Sequence, residues 1–477
     1  MDGAVGASAP APTRGRRASL RPDAALGRWA PALALLCGLV VVAATVEIVL
    51  DGALDHSPVI PKSPQIAGWL TSLGGEQLSQ RVFVIAILSF SAAYAGLLAL
   101  ARIRARAPVG DRTISDRPSD RPSDRPADRP ADRKSARWAI GLVALLHLIV
   151  FVGPVLISTD VFSYIAYARM GVVHGINPYL HGPAAIAGDP VYRYVGKDWL
   201  KVATAYGPLY TLLSYPLAPL GVVGALWGMK VYALLASFVT LLLTWLLARR
   251  RGLDPVFALL AVGANPLYVI YGFGGAHNDL IMLALMMGAV ALTLSDRDVA
   301  AGAVVVAGAL VKATVGVLLP FMILSRRRVA PLLGALGALA LGALAGYAAF
   351  GSHGIDVVSA LNRDAAFVST DSFPNELAHL AGKPGVFPVD HDLLKGALVL
   401  IVLHLLWRTW RGYDWVAASG WALLAIAVTS TWLLAWYILW PLPLAVVSRD
   451  RRLLAATLFV QGLFVVHQTP PIFAPVR

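Results

Sequence analysis

Apolar residues occur along this chain in long runs, separated by short loops that carry arginine. The runs are rich in Leu, Ala and Val over roughly 20 residues and do not alternate with polar positions, which favours membrane-spanning helices over a β-barrel. With 57% hydrophobic and 14% charged residues among 477, the chain has more apolar surface than a soluble core can bury. The pattern predicts an all-α polytopic membrane protein.

The runs predict a bundle of about 11–13 transmembrane or half-membrane helices. The first three runs cover 29–50, 82–101 and 138–157. The segment between Arg297 and Arg326 is too short for two full crossings, so we expect a hairpin of half-length helices there. Further spans are predicted at 222–247, 255–272, 279–295, 330–350, 393–410, 415–433, 436–447 and 453–468.

Composition divides the chain into four parts. Residues 1–28 are rich in Ala, Pro and Arg and lack core periodicity, so we expect a disordered tail. Residues 29–102 form a transmembrane hairpin. Residues 103–137 contain an Asp-Arg-Pro-Ser or Asp-Arg-Pro-Ala repeat, whose prolines predict a disordered linker. Residues 138–477 form the main transmembrane domain, with external loops at 158–221, 273–279 and 352–392.

Arginine clusters at alternate ends of the spans predict their orientation. The positive-inside rule places these clusters, the tail and the linker in the cytoplasm. Membrane topology therefore explains the net charge of +13 better than nucleic-acid binding does. The single cysteine, Cys37, permits no internal disulfide. The clusters are Arg249–Arg251, Arg297, Arg326–Arg328, Arg408 with Arg411, and Arg449 with Arg451 and Arg452.

A carboxylate stands at the predicted external end of the third run. Asp160 follows Ser158 and Thr159, and a charge at the end of a span is costly unless water or a ligand meets it. Asp160 could accept a proton as a general base, or it could merely cap the helix that begins at Val161. Apolar residues then recur at helical spacing as far as His174, which predicts an amphipathic helix at the membrane interface.

A basic and aromatic loop follows this helix. Because arginine makes bidentate contacts to phosphate oxygens, Arg169 and Arg193 are preferred as phosphate ligands over Lys197 and Lys201. A solvated interface would explain the same residues. Tyr206 could stack on a sugar ring or serve as an interfacial anchor.

Three consecutive polar residues occupy a second external turn, after Gly274-Gly275-Ala276. His277 could contact phosphate, and Asn278 and Asp279 could hydrogen-bond sugar hydroxyls; helix capping explains one of the last two but not both. Lys312 is the one charged residue near the tip of the predicted hairpin. It should pair with an anion such as a lipid phosphate, or extend toward the external surface.

Several of these segments resemble a known family. Phe162-Ser163-Tyr164, Gly175–Tyr179 and Ala205–Tyr210 resemble the first catalytic loop of bacterial GT-C glycosyltransferases that use polyprenyl-phosphate sugars. Gly274–Asp279 and the late aromatic stretch Thr431–Pro441 resemble the polyprenol-phosphomannose-dependent mannosyltransferases. The resemblance covers roughly residues 138–445. It departs from the simplest GT-C plan because the expected base follows the third apolar run instead of the first.

The resemblance implies an inverting transfer of mannose, or a related hexose, from a polyprenyl-phosphate sugar to a glycan or glycolipid acceptor. It implies a site on the extracytoplasmic face of a bacterial plasma membrane, no cofactor and no essential metal. Asp160 is the expected general base. The expected donor-phosphate ligands are Arg169, Arg193, Lys312 and His277, and the expected sugar or acceptor contacts are Tyr164, Asn177, Tyr206, Asn278 and Asp279.

Two other functions compete with this one. A secondary transporter of a polar or anionic solute would also place charges in its spans, but its site would lie near the midplane, and no inverted repeat is apparent. Here the polar groups gather at one interface. A non-catalytic assembly or lipid-binding partner is not distinguished from an enzyme by the sequence.

Overall fold

The computed structural model describes residues 22–51, 80–106, 130–352 and 367–468, and the regular elements in these ranges are all helices. By length and composition, five helices in this part of the chain can cross a membrane, or six if one bent pair counts as a span. Shorter apolar helices lie among them. The predicted all-α polytopic fold is confirmed.

The α-helices are numbered in chain order: α1 Pro22–Asp51, α2 Gln80–Arg106, α3 Pro130–Val152, α4 Asp160–Val172, α5 Pro208–Ser214, α6 Gly221–Arg250, α7 Pro255–Gly263, α8 Asp279–Thr293, α9 Asp298–Ala309, α10 Leu318–Arg326, α11 Ala330–Phe350, α12 Phe373–Leu380, α13 Pro388–Trp410, α14 Trp415–Thr429, α15 Leu442–Val447 and α16 Arg451–Gln468. Tighter turns include the 3-10 helices Tyr215–Leu220, Ala313–Val317 and Ala435–Leu439 and the π-helix Leu267–Phe273.

Helix α1 of the N-terminal hairpin packs against α3 of the main bundle. Helix α3 begins at Pro130 rather than at the predicted Trp138, because proline is tolerated in the first turn of a helix. The predicted disordered linker, 103–137, is therefore helical at both ends, and that boundary is corrected. Residues 107–129 of the linker, 1–21 of the tail and 353–366 of the third external loop lie outside the described residues.

One predicted span, 255–272, is broken in the structure. Helix α7 ends at Gly263, and the π-helix follows at an angle of 47°. Pro266 lacks an amide hydrogen, which accounts for the break. The neighbouring Asn265 is buried, and its Nδ2 donates to Tyr94 Oη (3.2 Å) on α2 and to Gln461 Oε1 (2.8 Å) on α16. The break is thus fixed by hydrogen bonds to two other helices.

The hairpin of half-length helices is found where the sequence predicts it. Helices α9 and α10 are joined by an extended Lys312 and the short Ala313–Val317 turn. Backbone groups at membrane depth need partners within the protein. The start of α5 supplies them, because Gly207 N donates to the Val311 carbonyl (3.3 Å) and Leu209 N to the Leu310 carbonyl (3.1 Å).

Helix α4 lies inside the protein, and its predicted position at the interface is corrected. Every residue from Val161 to Ala168 is buried. The helix packs against α5, α6 and the Tyr215–Leu220 turn, so the side that the sequence pattern assigned to solvent is covered as well. This burial carries Asp160, the first residue of α4, to the edge of the core.

Helices α9 and α11 approach closely through glycine. A Cβ atom at Gly334 would collide with the Val299 carbonyl, and one at Gly302 would collide with the Pro331 carbonyl. By contrast, a Cβ at Gly337 of the same helix α11 would meet no atom within 4 Å. The contact therefore depends on particular glycines and not on the general composition of α11.

We expect Gly334→Ala to destabilise the protein by about 1–3 kcal/mol, because the added methyl group forces the two backbones apart. Gly337→Ala is the matched control and should leave stability unchanged or slightly higher, since alanine favours helix. Thermal unfolding in detergent measures both. Equal unfolding midpoints for the two variants would contradict the close α9–α11 contact.

Candidate active site

The connector between α3 and α4 places Asp160 beside the Gly274–Asp279 turn. Leu156 N donates to the Gly274 carbonyl (2.9 Å), and Asp160 N donates to Ser158 Oγ (3.1 Å). Ile157 adopts a positive φ of 66°, which is unfavourable for a β-branched residue. The chain tolerates this strain at the point where it turns Asp160 toward the second loop.

Four of the predicted site residues meet at this point. Asp160 Oδ2 lies 3.7 Å from His277 Nδ1, and Tyr164 Oη lies 3.3 Å from the same nitrogen. Tyr164 Oη is also 3.5 Å from Asn278 Oδ1. The imidazole stacks on the indole of Trp436 with ring centroids 3.6 Å apart. Residues from three separate parts of the chain thus form one polar cluster.

A buried ion pair adjoins this cluster. Lys312 Nζ, at the tip of the half-length hairpin, donates to both oxygens of Asp279 (2.8 and 2.9 Å). Trp440 Nε1 also donates to Asp279 Oδ1 (2.6 Å), and the ammonium lies 4.3 Å from the centre of the Tyr437 ring. Asp279 is fully buried. The anion that the sequence predicts for Lys312 is therefore supplied, in this structure, by the protein itself.

Asp160 and His277 face each other, and their pKa values are shifted in opposite directions. Burial raises the pKa of Asp160 to about 6, while the positive charge of Lys312 opposes the rise. Burial, together with Lys312, holds the pKa of His277 well below its usual value. At neutral pH the arrangement is a neutral imidazole beside a carboxylate that titrates close to neutrality.

Tyrosine side chains form one wall of the cluster. Tyr206 meets Tyr164 edge to face at 4.8 Å between ring centroids, and Tyr210 meets Tyr164 in the same way at 5.1 Å. The predicted residue Tyr206 is thus brought to the site, next to the hairpin tip that carries Lys312.

Arg193 lies on the loop that covers the first turn of α4. Its guanidinium is exposed, donates to Tyr194 Oη (2.8 Å) and packs over the Tyr194 ring. Tyr194 in turn stacks on Phe162, two residues after Asp160. Among the described residues Arg193 has no carboxylate partner, so its charge is not neutralised locally.

Two predicted site residues are engaged elsewhere. Arg169 Nη2 donates to Asp189 (2.8 Å), and its Nη1 donates to the Ala218 carbonyl (3.0 Å). Along α4 it lies nine residues beyond Asp160, which corresponds to about 13 Å. Asn177 Nδ2 donates to the Phe350 carbonyl (2.9 Å). The predicted phosphate role of Arg169 and sugar contact of Asn177 have no support in this geometry.

Asp189 shows how firmly Arg169 is held. Burial acts to raise the pKa of this carboxyl, but hydrogen bonds from Arg169 and His174 overcome that effect and lower it to about 2. His174 Nε2 lies 2.7 Å from the same carboxylate. These contacts fix Arg169 beside Asp189.

The sequence analysis missed three aromatic residues of the site. The predicted site does not include Trp436, Tyr437 and Trp440, but the structure places them on the Ala435–Leu439 turn and next to it, against His277, Lys312 and Asp279. The resemblance of the Thr431–Pro441 stretch to a family motif was the available signal.

Two buried nitrogens of the cluster, His277 Nε2 and Asn278 Nδ2, have no hydrogen-bond partner among the described residues. Buried polar groups are normally paired, so a polar ligand would be stabilised there. The described residues contain no group of three His, Cys, Asp or Glu side chains suited to a metal ion. The expected metal independence stays a prediction.

The buried ion pair predicts a non-additive mutational response. Lys312→Met or Asp279→Leu alone leaves an uncompensated buried charge and should cost about 3–5 kcal/mol, whereas the double variant should cost much less than the sum. Thermal unfolding midpoints of the four proteins measure this coupling.

Lys383→Met is the control, because Lys383 pairs with Asp390 at the exposed surface, where solvent screens the two charges and the pair contributes little to stability. Additive losses at Lys312 and Asp279 would mean that the two charges do not stabilise each other.

Two family models match this chain. Residues 35–328 match the N-terminal domain of alpha-(1->6)-mannopyranosyltransferases, and residues 204–470 match glycosyltransferase family 87. Each match covers more than half of the chain and includes Asp279 and Lys312. No solved structure matches.

Curated relatives agree with these matches. The chain is 29% identical to alpha-(1->6)-mannopyranosyltransferase A of Mycobacterium tuberculosis over 343 residues, 65% of this chain and 66% of the relative. It is 30% identical to alpha-(1->6)-mannopyranosyltransferase A of Corynebacterium glutamicum over 185 residues, 38% of this chain and 37% of the relative. The matched segments thus span just under two thirds of the first relative and about a third of the second.

Proposed function

Because the chain belongs to glycosyltransferase family 87 and carries the N-terminal domain of alpha-(1->6)-mannopyranosyltransferases, we propose that it is an inverting mannosyltransferase. The donor is a polyprenyl-phosphate mannose, and the acceptor is a hydroxyl group of a glycan or glycolipid. The observation that carries the proposal is the convergence of Asp160, His277, Asp279 and Lys312 from distant parts of the chain on one buried polar cluster.

Asp160 is the general base of the proposed reaction. It takes the proton of the acceptor hydroxyl, whose oxygen attacks the anomeric carbon while the bond from that carbon to the phosphate oxygen breaks. A single displacement of this kind inverts the anomeric centre and needs one carboxylate. The raised pKa of Asp160, about 6, suits a base that works near neutral pH.

Lys312 stabilises the departing polyprenyl phosphate. An ammonium group has three N–H donors, and the pair with Asp279 fixes its position without using all of them. The exposed Arg193 provides a second cation above α4. Stabilising charge that develops on the leaving group is a major source of rate enhancement in transfer reactions.

The sugar and acceptor occupy the space beside Tyr164, Tyr206 and Asn278. Asn278 Nδ2 and His277 Nε2 are buried donors or acceptors without partners in the described chain, and sugar hydroxyls offer both kinds of partner. Tyrosine rings suit the apolar face of a hexose.

We place this cluster on the extracytoplasmic face of a bacterial plasma membrane, with the N-terminus in the cytoplasm. Support comes from the arginine clusters, which lie at the helix ends remote from Asp160 and Asp279. A lipid-linked donor then reaches the site from the bilayer.

We expect Asp160→Asn to reduce turnover of synthetic polyprenyl-phosphate mannose by about 10²–10⁴-fold, the usual loss when a general base is removed. Release of polyprenyl phosphate measures the reaction. Asp198→Asn, an exposed acid on the same predicted external loop, 158–221, is the matched control and should retain activity.

Asp160 must be deprotonated to act, so wild-type activity should fall as pH drops through about 6. A flat profile between about pH 5 and 7 would place the base elsewhere.

We expect Arg193→Gln to raise the donor KM by about tenfold or less while kcat changes little, because an exposed cation contributes mainly to phosphate binding. Lys197→Gln on the same loop should have a smaller effect. Kinetics at varied donor and fixed acceptor concentration separate the two parameters. A change confined to the acceptor KM would remove Arg193 from the phosphate site.

A further inference from the structure

A cavity lies at the end of the bundle that is remote from the Asp160 cluster. Helix α8 runs from Asp279 in the site over 15 residues, or about 22 Å, to its far end. There Arg326 pairs with Asp296 (2.6 Å), and the adjacent Arg327 donates to the Trp410 carbonyl (3.4 Å) at the end of α13. These contacts place the end of α13 on the face opposite the catalytic cluster.

The cavity beside the end of α13 has a volume of about 600 Å³. Four arginines from two parts of the chain line it, Arg408 on α13 and Arg449, Arg451 and Arg452 around the start of α16, with Tyr413 and Trp421 among the other lining residues. Guanidinium groups and aromatic side chains thus line the same cavity.

The two acidic residues of the cavity are already engaged. Asp450 Oδ2 accepts hydrogen bonds from Tyr413 Oη and from Trp421 Nε1 (3.0 Å), and its Oδ1 accepts one from the Arg452 backbone (2.8 Å). Asp414 pairs with Arg251. The four lining arginines therefore outnumber Asp450, the one lining carboxylate without an arginine partner in the described chain.

The four lining arginines have no carboxylate within ion-pair distance in the part of the chain that the structure describes. Arg408 lies over the Tyr413 ring at 4.0 Å, and Arg449 Nη2 donates to the Arg251 carbonyl (3.1 Å). The positive-inside rule explains the sign of the charge at this face. It does not require four arginines to line one aromatic cavity that contains two carboxylates, one of which is already paired with Arg251.

Exposed tryptophans indicate where the cavity lies relative to the membrane. Trp407 and Trp410, beside Arg408 on α13, have 52% and 51% of their surface exposed. Tryptophan is enriched at the membrane–water interface, where lipid headgroups lie. We therefore expect the arginines of the cavity to lie at the level of lipid phosphates.

We propose that this cavity binds the phosphate headgroup of an anionic phospholipid. Guanidinium groups bind phosphate oxygens through paired, charge-assisted hydrogen bonds, and basic pockets between helices suit such headgroups. The aromatic side chains contact the glycerol and the upper acyl chain. The proposal is independent of the reaction proposed above, because it concerns the opposite end of the bundle.

The test is a titration of the purified full-length chain in neutral detergent with phosphatidylglycerol, followed by thermal unfolding. The wild type should show saturable stabilisation by phosphatidylglycerol and little by phosphatidylcholine. The cavity variant Arg408→Gln/Arg452→Gln should bind phosphatidylglycerol about tenfold more weakly.

The control Arg249→Gln/Arg297→Gln removes the same charge from exposed positions that do not line the cavity, and it should respond like the wild type. If the double cavity variant does not fold, Arg451→Gln replaces it. Equal losses in the cavity variant and the control would reduce the effect to general surface charge and overturn the proposal. Stabilisation by inorganic phosphate equal to that by the lipid would also overturn it, since that would indicate a small-anion site.

Discussion

The site depends on the burial of one ion pair at membrane depth. A charge in this setting is costly unless a partner of opposite charge and further hydrogen bonds compensate it. Asp279 meets this condition through Lys312 and Trp440, and the pair joins the start of α8 to the tip of a half-length hairpin. Loss of either partner would leave an uncompensated buried charge where the hairpin tip meets the Gly274–Asp279 turn.

The same membrane constraint explains why irregular backbone is concentrated around the site. Unpaired N–H and C=O groups are tolerated in a bilayer only where protein covers them. The Val311 carbonyl is covered by Gly207, and the Leu156 amide is covered by the Gly274 carbonyl. Each of these bonds also joins two segments that carry site residues. The hydrogen bonds that pair these backbone groups therefore also help to assemble the polar cluster.

Periodicity and charge predicted the helical spans, the half-length hairpin and Lys312 at its tip, because these features follow from segment length and from the cost of charge in hydrocarbon. They could not predict that Arg169 pairs with Asp189, since that contact depends on how a loop folds back over α4. The prediction that α4 lies at the membrane interface was wrong for a related reason. A helix whose polar face is covered by other segments has the same sequence pattern as a helix on a surface. The sequence alone could not place Trp436 and Trp440 at the site, because an aromatic belt at the membrane interface has the same composition.

The two carboxylates at the site, Asp160 and Asp279, have different surroundings. Asp279 accepts hydrogen bonds from an ammonium and an indole, and both of its carboxylate oxygens are engaged. The nearest basic group to Asp160 that the structure shows is the His277 imidazole at 3.7 Å, beyond hydrogen-bond distance, and burial raises the Asp160 pKa. These surroundings support the proposed role of Asp160 as the base, whereas Asp279 joins the start of α8 to the hairpin tip. Different surroundings can give two identical acidic side chains different roles in one protein.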